Sequence, residues 1–138
     1  MPEPSLHHVG YVVSSIAESI DRWRIAISAV SASATFDDPI QRARVIFLDL
    51  PPGGAVKIEL VEPLGSESPV AKFVEKGGGL HHLCFEVDDI DSQIQKMRGL
   101  KAMLIRKPQP AVAFAGRRIA WMQTRERMLV EYLERNHV

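Results

Sequence analysis

Two stretches of this chain are near copies of each other, 74 residues apart. Leu6-His7-His8-Val9-Gly10-Tyr11-Val12-Val13 is matched by Leu80-His81-His82-Leu83-Cys84-Phe85-Glu86-Val87. Apolar residues at helical spacing follow each: Ile16, Ile20, Trp23 and Ile27 after the first, Ile90, Ile94 and Met97 after the second. The match then continues. Arg44-Val45-Ile46-Phe47-Leu48 aligns with Arg118-Ile119-Ala120-Trp121-Met122 at the same offset of 74, and Val56 to Glu62 aligns with Met128 to Glu134 at an offset of 72. Such a chain folds as two like units sharing one plan, which excludes most architectures open to 138 residues.

The plan is strand, helix, then three strands. In the first half, residues 6–13 read as a strand, and Ser15 with Glu18 three residues on reads as a capping box that starts a helix. Residues 31–37 are small and polar and suit a short edge strand. Residues 44–50 and 55–61 are strands joined by Pro51-Pro52-Gly53-Gly54, a turn, so they form a hairpin. Ser68-Pro69 predicts the start of a short helix that stops at Gly77-Gly78-Gly79. In the second half, 80–87 is a strand, Asp88 or Asp89 caps a helix ended by Gly99, and 102–105 is a short strand closed by Pro108 and Pro110. The strands 117–123 and 128–134 are joined by a polar turn at 124–127. The 138 residues thus form a single domain: module 1 over about 5–62, a linker helix at 63–79 and module 2 over about 80–135.

Composition excludes several classes. The 17 basic and 17 acidic residues cancel, and no basic block points to nucleic acid. Apolar runs are strand-sized, far short of the roughly 20 residues a membrane helix needs. A single cysteine, Cys84, forbids an intrachain disulfide, which agrees with a cytoplasmic location.

The chemistry lies in the repeated polar residues. Each half carries one matched histidine on its first strand, His8 or His82, and one matched glutamate on its last, Glu59 or Glu131. Each glutamate sits among apolar neighbours. Alone, such a Glu is more often a solvent-facing strand residue, and a lone His more often a packed one. As a set at equivalent places in two repeats, the four converge if the repeats pair about a pseudo-two-fold. Imidazole nitrogen and carboxylate oxygen together suit a divalent ion such as Co, Zn, Ni or Mn. His7 and His81 alternate to the opposite face.

Longer runs carry a resemblance. Lys57-Ile58-Glu59-Leu60-Val61-Glu62-Pro63-Leu64-Gly65, Ser68-Pro69-Val70-Ala71-Lys72-Phe73, and Gly77-Gly78-Gly79 through Asp88-Asp89-Ile90 resemble signatures of the methylmalonyl-CoA epimerases. With His8-Val9-Gly10 and Leu129-Val130-Glu131, the likeness spans nearly the whole chain. These epimerases belong to the vicinal oxygen chelate superfamily of glyoxalases, bleomycin resistance proteins and dioxygenases. The resemblance implies an α+β fold of two βαβββ modules in an open, curved eight-stranded mixed sheet around a central metal site. It implies His8, Glu59, His82 and Glu131 as metal ligands, Glu59 and Glu131 as catalytic carboxylates, a cytoplasmic homodimer, and an acyl-CoA substrate. The activity it implies is removal of the proton next to a thioester or carbonyl. A glyoxalase-like lyase and a non-catalytic small-molecule-binding protein are the alternatives. One epimerase base falls here at Val45 or Arg44, neither of which is a normal general base.

Three arginines are candidates for an anionic substrate group: Arg44, Arg117 and Arg118. For Arg117 and Arg118 the plainer reading is solvated charge at a strand end. Cys84, two residues beyond His82, shares its face and reads as a packed apolar residue. Trp23 and Trp121 fit the core, and Tyr132 packs on the face opposite Glu131.

Overall fold

The computed structural model describes residues 3–29 and 31–135. The chain is α+β, with nine strands in an open mixed sheet and few helices. It divides into two compact units, residues 8–81 and residues up to 7 together with 82 onward.

The first unit contains β1 (Ser5–Val12), α1 (Ile16–Ile27), β2 (Ser31–Ala32), β3 (Phe36–Asp38), β4 (Ala43–Asp49), β5 (Lys57–Pro63) and α2 (Ala71–Glu75). Its strand order is β2-β4-β5-β1, with β3 also paired to β4. β1 and β5 are parallel, while β4 and β5 form the expected antiparallel hairpin. Ser15 caps α1 by accepting the Glu18 N–H at 3.2 Å. A distant carboxylate serves the next free donor of the helix start: the Ile16 N–H donates to Glu62 Oε1 at 2.7 Å. One buried stripe of α1 packs with Ile46, Leu48 and Leu60. The Tyr11 and Trp23 rings meet there edge to face at 4.7 Å.

The second unit contains β6 (Gly79–Val87), α3 (Ile90–Gly99), β7 (Met103–Pro110), a 3₁₀ turn at Val112–Phe114, β8 (Arg118–Gln123) and β9 (Leu129–Glu134). Its order, β6-β9-β8-β7, repeats that of the first, and β6 and β9 are again parallel. Asp89 caps α3 by accepting from Ser92 N–H at 3.0 Å. The core under α3 joins Ile90, Ile94, Met122, Val130 and Tyr132. Ile90 and Met122 are fully buried, each contributing roughly 1.5–3 kcal/mol of apolar burial.

Three differences from the sequence reading have physical causes. The predicted edge strand at 31–37 is two pieces, β2 and β3, both hydrogen-bonded to β4; this accounts for nine strands where eight were expected. β7 runs on through Pro108 and Pro110 instead of being closed by them. It pairs with β8 alone among the described strands, and its register shifts twice; a proline's missing N–H is tolerated at such an edge. The helix between the two modules begins elsewhere in a segment, 63–79, that falls within the first unit. Leu64 N–H donates to Arg42 O at 3.0 Å, and Gly78, at φ +72°, lies so near Val12 O that a Cβ there would stand 2.6 Å from it. The helix within it starts later than Ser68-Pro69. Ser68 instead receives Val70 N–H, a turn ahead of α2. Residues up to His7 go with the second unit, where the Arg135 guanidinium binds Glu3 O and Ser5 Oγ.

Candidate metal centre

Register decides which side chains share a face, because directly opposed residues of neighbouring strands project the same way. In the first unit Phe47 opposes Glu59 and Val45 opposes Val61. The alternate set, Ile46 with Leu60 and Leu48 with Ile58, meets α1. In the parallel pair Gly10 opposes Glu59, so no side chain stands over the carboxylate at that position, and His8 lies one step along on the same side. His8 Nε2 and Glu59 Oε1 are 3.3 Å apart. His8 is 0% exposed and Glu59 6%. Phe47 sets its ring edge to face against the His8 imidazole at 5.3 Å.

The second unit repeats this. Cys84 and Trp121 oppose Glu131 on its two flanks. His82 Nε2 and Glu131 Oε1 are again 3.3 Å apart, at 2% and 3% exposure. Trp121 stacks edge to face on His82 at 4.7 Å. The aromatic partners Phe47 and Trp121 were not singled out from sequence as site residues, yet they are 74 residues apart like the histidines. The repeat alignment carried that signal.

Taking an ionised carboxylate out of water is expensive unless it is paired or binds a metal. Two other buried polar residues have local duties. Asp38 receives the N–H groups of Ile40 and Gln41, and Ser68 that of Val70. The His–Glu pairs are of a different kind: each presents an imidazole nitrogen and a carboxylate oxygen side by side in an aromatic-walled, water-poor place. His7 and His81 are turned to other work, packing edge to face on Phe114 at 5.5 Å and on Phe73 at 5.1 Å.

The three arginines separate. Arg44 opposes Glu62 across the β4–β5 ladder, so it lies on the α1 side of the sheet and not beside Glu59. Its Nε and Nη2 bind both Asp37 oxygens at 2.7 and 3.2 Å, and Nη1 reaches Glu62 at 3.5 Å. The hydrogen bond from Arg44 holds the Asp37 carboxyl below the usual carboxylate range. Arg118 is its repeat partner and sits likewise on the helix side, bound to Glu134 at 2.6 Å and Asp91 at 3.4 Å. Strand alternation therefore removes both from the neighbourhood of the histidines and glutamates. Arg117 alone bonds toward the His82 face. Its Nη1 donates to Glu86 Oε2 at 3.1 Å, and its guanidinium lies 5.7 Å from the Phe114 ring centre. Glu86 follows His82 and Cys84 on that face by alternation along β6, another residue the sequence reading passed over.

Comparison with known proteins bears on this geometry. A model of the glyoxalase/bleomycin resistance protein/dioxygenase superfamily matches residues 7–121. The ethylmalonyl-CoA/methylmalonyl-CoA epimerase of Cereibacter sphaeroides is 32% identical over 123 residues, which cover 88% of this chain and 89% of that protein. The crystal structure of methylmalonyl-CoA epimerase from Mycobacterium tuberculosis superposes with a TM-score of 0.84 at 26% identity, covering 99% of this chain and 94% of that one. A methylmalonyl-CoA epimerase in complex with methylmalonyl-CoA and NH4+ gives a TM-score of 0.81 over 99% and 98% of the two chains; at 22% identity this is a likeness of fold.

Proposed function

Because this chain belongs to the glyoxalase/bleomycin resistance protein/dioxygenase superfamily, we propose that its two His–Glu pairs together hold one divalent metal ion and that the protein is an epimerase-like isomerase. Its reaction moves the proton next to a thioester or carbonyl, and its substrate is an acyl-CoA of the methylmalonyl type. Kinship with methylmalonyl-CoA epimerases over most of the chain supports this reading. The observation that carries it is the duplicated, buried His–Glu pair: His8 with Glu59 and His82 with Glu131. The donor chemistry fits a first-row divalent ion, since two imidazoles and two carboxylates form a mixed N/O set of net charge −2.

A divalent ion held by these residues would supply Lewis acidity to the substrate carbonyl. The residues do the rest. In this reading Glu131 and Glu59, both buried, are the carboxylates that accept and return the proton. Phe47 and Trp121 fix the imidazole planes and exclude solvent. Arg117, held by Glu86, is the cation for an anionic group of the substrate. The same reading has the protein acting in the cytoplasm as a homodimer, and light scattering on the purified chain tests the dimer. Among the described residues no helix is long and apolar enough to cross a membrane.

The test uses purified protein with Co²⁺, a single enantiomer of a methylmalonyl thioester, and D₂O. Deuterium should enter at the α-carbon as the enantiomer is lost. No uptake with Co, Zn, Ni or Mn refutes the reading. One observation favours a glyoxalase-like lyase as second reading: Val45, an aliphatic residue 8% exposed, shares the face of Phe47 and Glu59. A reaction needing one carboxylate base is content with that. Turnover of the methylglyoxal–glutathione adduct, with no deuterium uptake into the thioester, would select it.

A further inference from the structure

On the α1 side of its sheet, facing away from Glu59, the first unit holds a cavity of about 650 Å³. That volume is in the range of small-molecule sites. Ile16 and Ile46, both buried, form its apolar floor; Ile20 and Ala17 continue the helix wall, and Arg24 stands at its rim.

The repeat supplies an internal control for why the space exists. The positions matched to Ile16, Ala17, Ile20 and Arg24 are Ile90, Asp91, Ile94 and Arg98. Only the second of these changes chemistry. In the second unit Asp91 reaches from the helix to Arg118 at 3.4 Å and ties helix to strand across the gap. In the first unit Ala17 has no such reach. Arg44 turns instead to Asp37 on β3 and to Glu62, so its charge is balanced from the strand side and the helix side stays open. Arg24 has no ion pair among the described residues. The cavity therefore combines an apolar floor, a wall in which Arg44 is shared by the carboxylates of Asp37 and Glu62, and one uncommitted cation, Arg24, at the rim, the one group there left to meet an anion.

The geometry points to a second small-molecule site there, for a short carboxylate with a compact hydrocarbon body. The hydrocarbon lies against Ile16, Ile20 and Ile46, and the carboxylate meets Arg24. A cation would face Arg24 across the rim, and a purely apolar guest would leave it unused.

Hexanoate is a direct probe, titrated into the 138-residue protein in the presence of diamagnetic Zn²⁺ while backbone amides are followed by NMR. Saturable shifts should concentrate in α1 and β4. Arg24→Glu should weaken binding at least tenfold. Ala17→Asp, which copies the arrangement that folds in the second unit, should do the same, and Arg98→Glu should leave affinity unchanged. A dispersed amide spectrum certifies each variant as folded. The proposal is overturned if no saturable shift appears, if Arg24→Glu binds as well as the parent, or if the shifts centre on β6 and β9 instead.

Discussion

Glu131→Gln separates a metal ligand from a structural ion pair by the sign of its effect on stability. Glu131 is 3% exposed, with His82 3.3 Å away. If the pair exists to stabilise the fold, neutralising one partner of a buried ion pair costs about 3–5 kcal/mol. At roughly 3–4 °C per kcal/mol for a chain of this size, that is a fall in Tm of about 10 °C or more in metal-free protein. If Glu131 is a ligand, two carboxylates buried without an ion already strain the apo fold. The amide then leaves the apo Tm unchanged or higher. The loss appears elsewhere. Divalent ion at 100 times its Kd stabilises the parent by about 2.7 kcal/mol, a rise of roughly 10 °C, and the variant should forfeit most of it. Differential scanning calorimetry of both proteins, with EDTA and with Co²⁺, reads all four values. A parent Tm that ignores every divalent ion, with an apo variant more than 10 °C lower, would refute the ligand assignment.

Other outcomes follow from single contacts. Gly78→Ala forces a Cβ to within 2.6 Å of Val12 O at a φ of +72°, so urea unfolding should show a loss of about 2 kcal/mol or more. Asp49 is held below its ordinary value of 3.8 by hydrogen bonds from Lys57 and Ser31. Because the folded pKa is depressed, its contribution is present above that value and vanishes as pH falls through the folded one. Asp49→Asn should therefore destabilise by under about 1 kcal/mol at pH 7, its side chain being 32% exposed, and the difference should close in acid denaturant titrations. Val45→Glu sets a second carboxylate on the face of Glu59. It should cost about 1–3 kcal/mol of stability and raise the rate of α-deuteration by tenfold or more.

The duplication made the histidines and glutamates legible, because the same residue types recur at fixed offsets whatever the fold. The hairpin was equally plain from Pro51-Pro52-Gly53-Gly54. Arg44 was not. Its strand is apolar on both faces from Val45 to Leu48, so alternation alone does not say which face meets the helix. The hairpin register decides it, by setting Phe47 against Glu59 and Arg44 against Glu62. Pro108 and Pro110 predict a shorter β7, because proline breaks the donor row of an interior strand. Its place at an edge, which only the paired strands reveal, makes those prolines harmless.

That same edge bears on how the protein behaves in crowded solution. A bare row of backbone donors and acceptors invites another chain to add itself as the next strand, the first step toward fibrils. Here Pro108 and Pro110 interrupt the row of donors, and Arg106 and Lys107 place charge beside them. In the first unit the strands beyond β4, β2 and β3, are two and three residues long, too short to template another chain. One edge is thus blunted by chemistry and the other by brevity, and the protein should remain dispersed at concentrations where the double variant Pro108→Val, Pro110→Val aggregates.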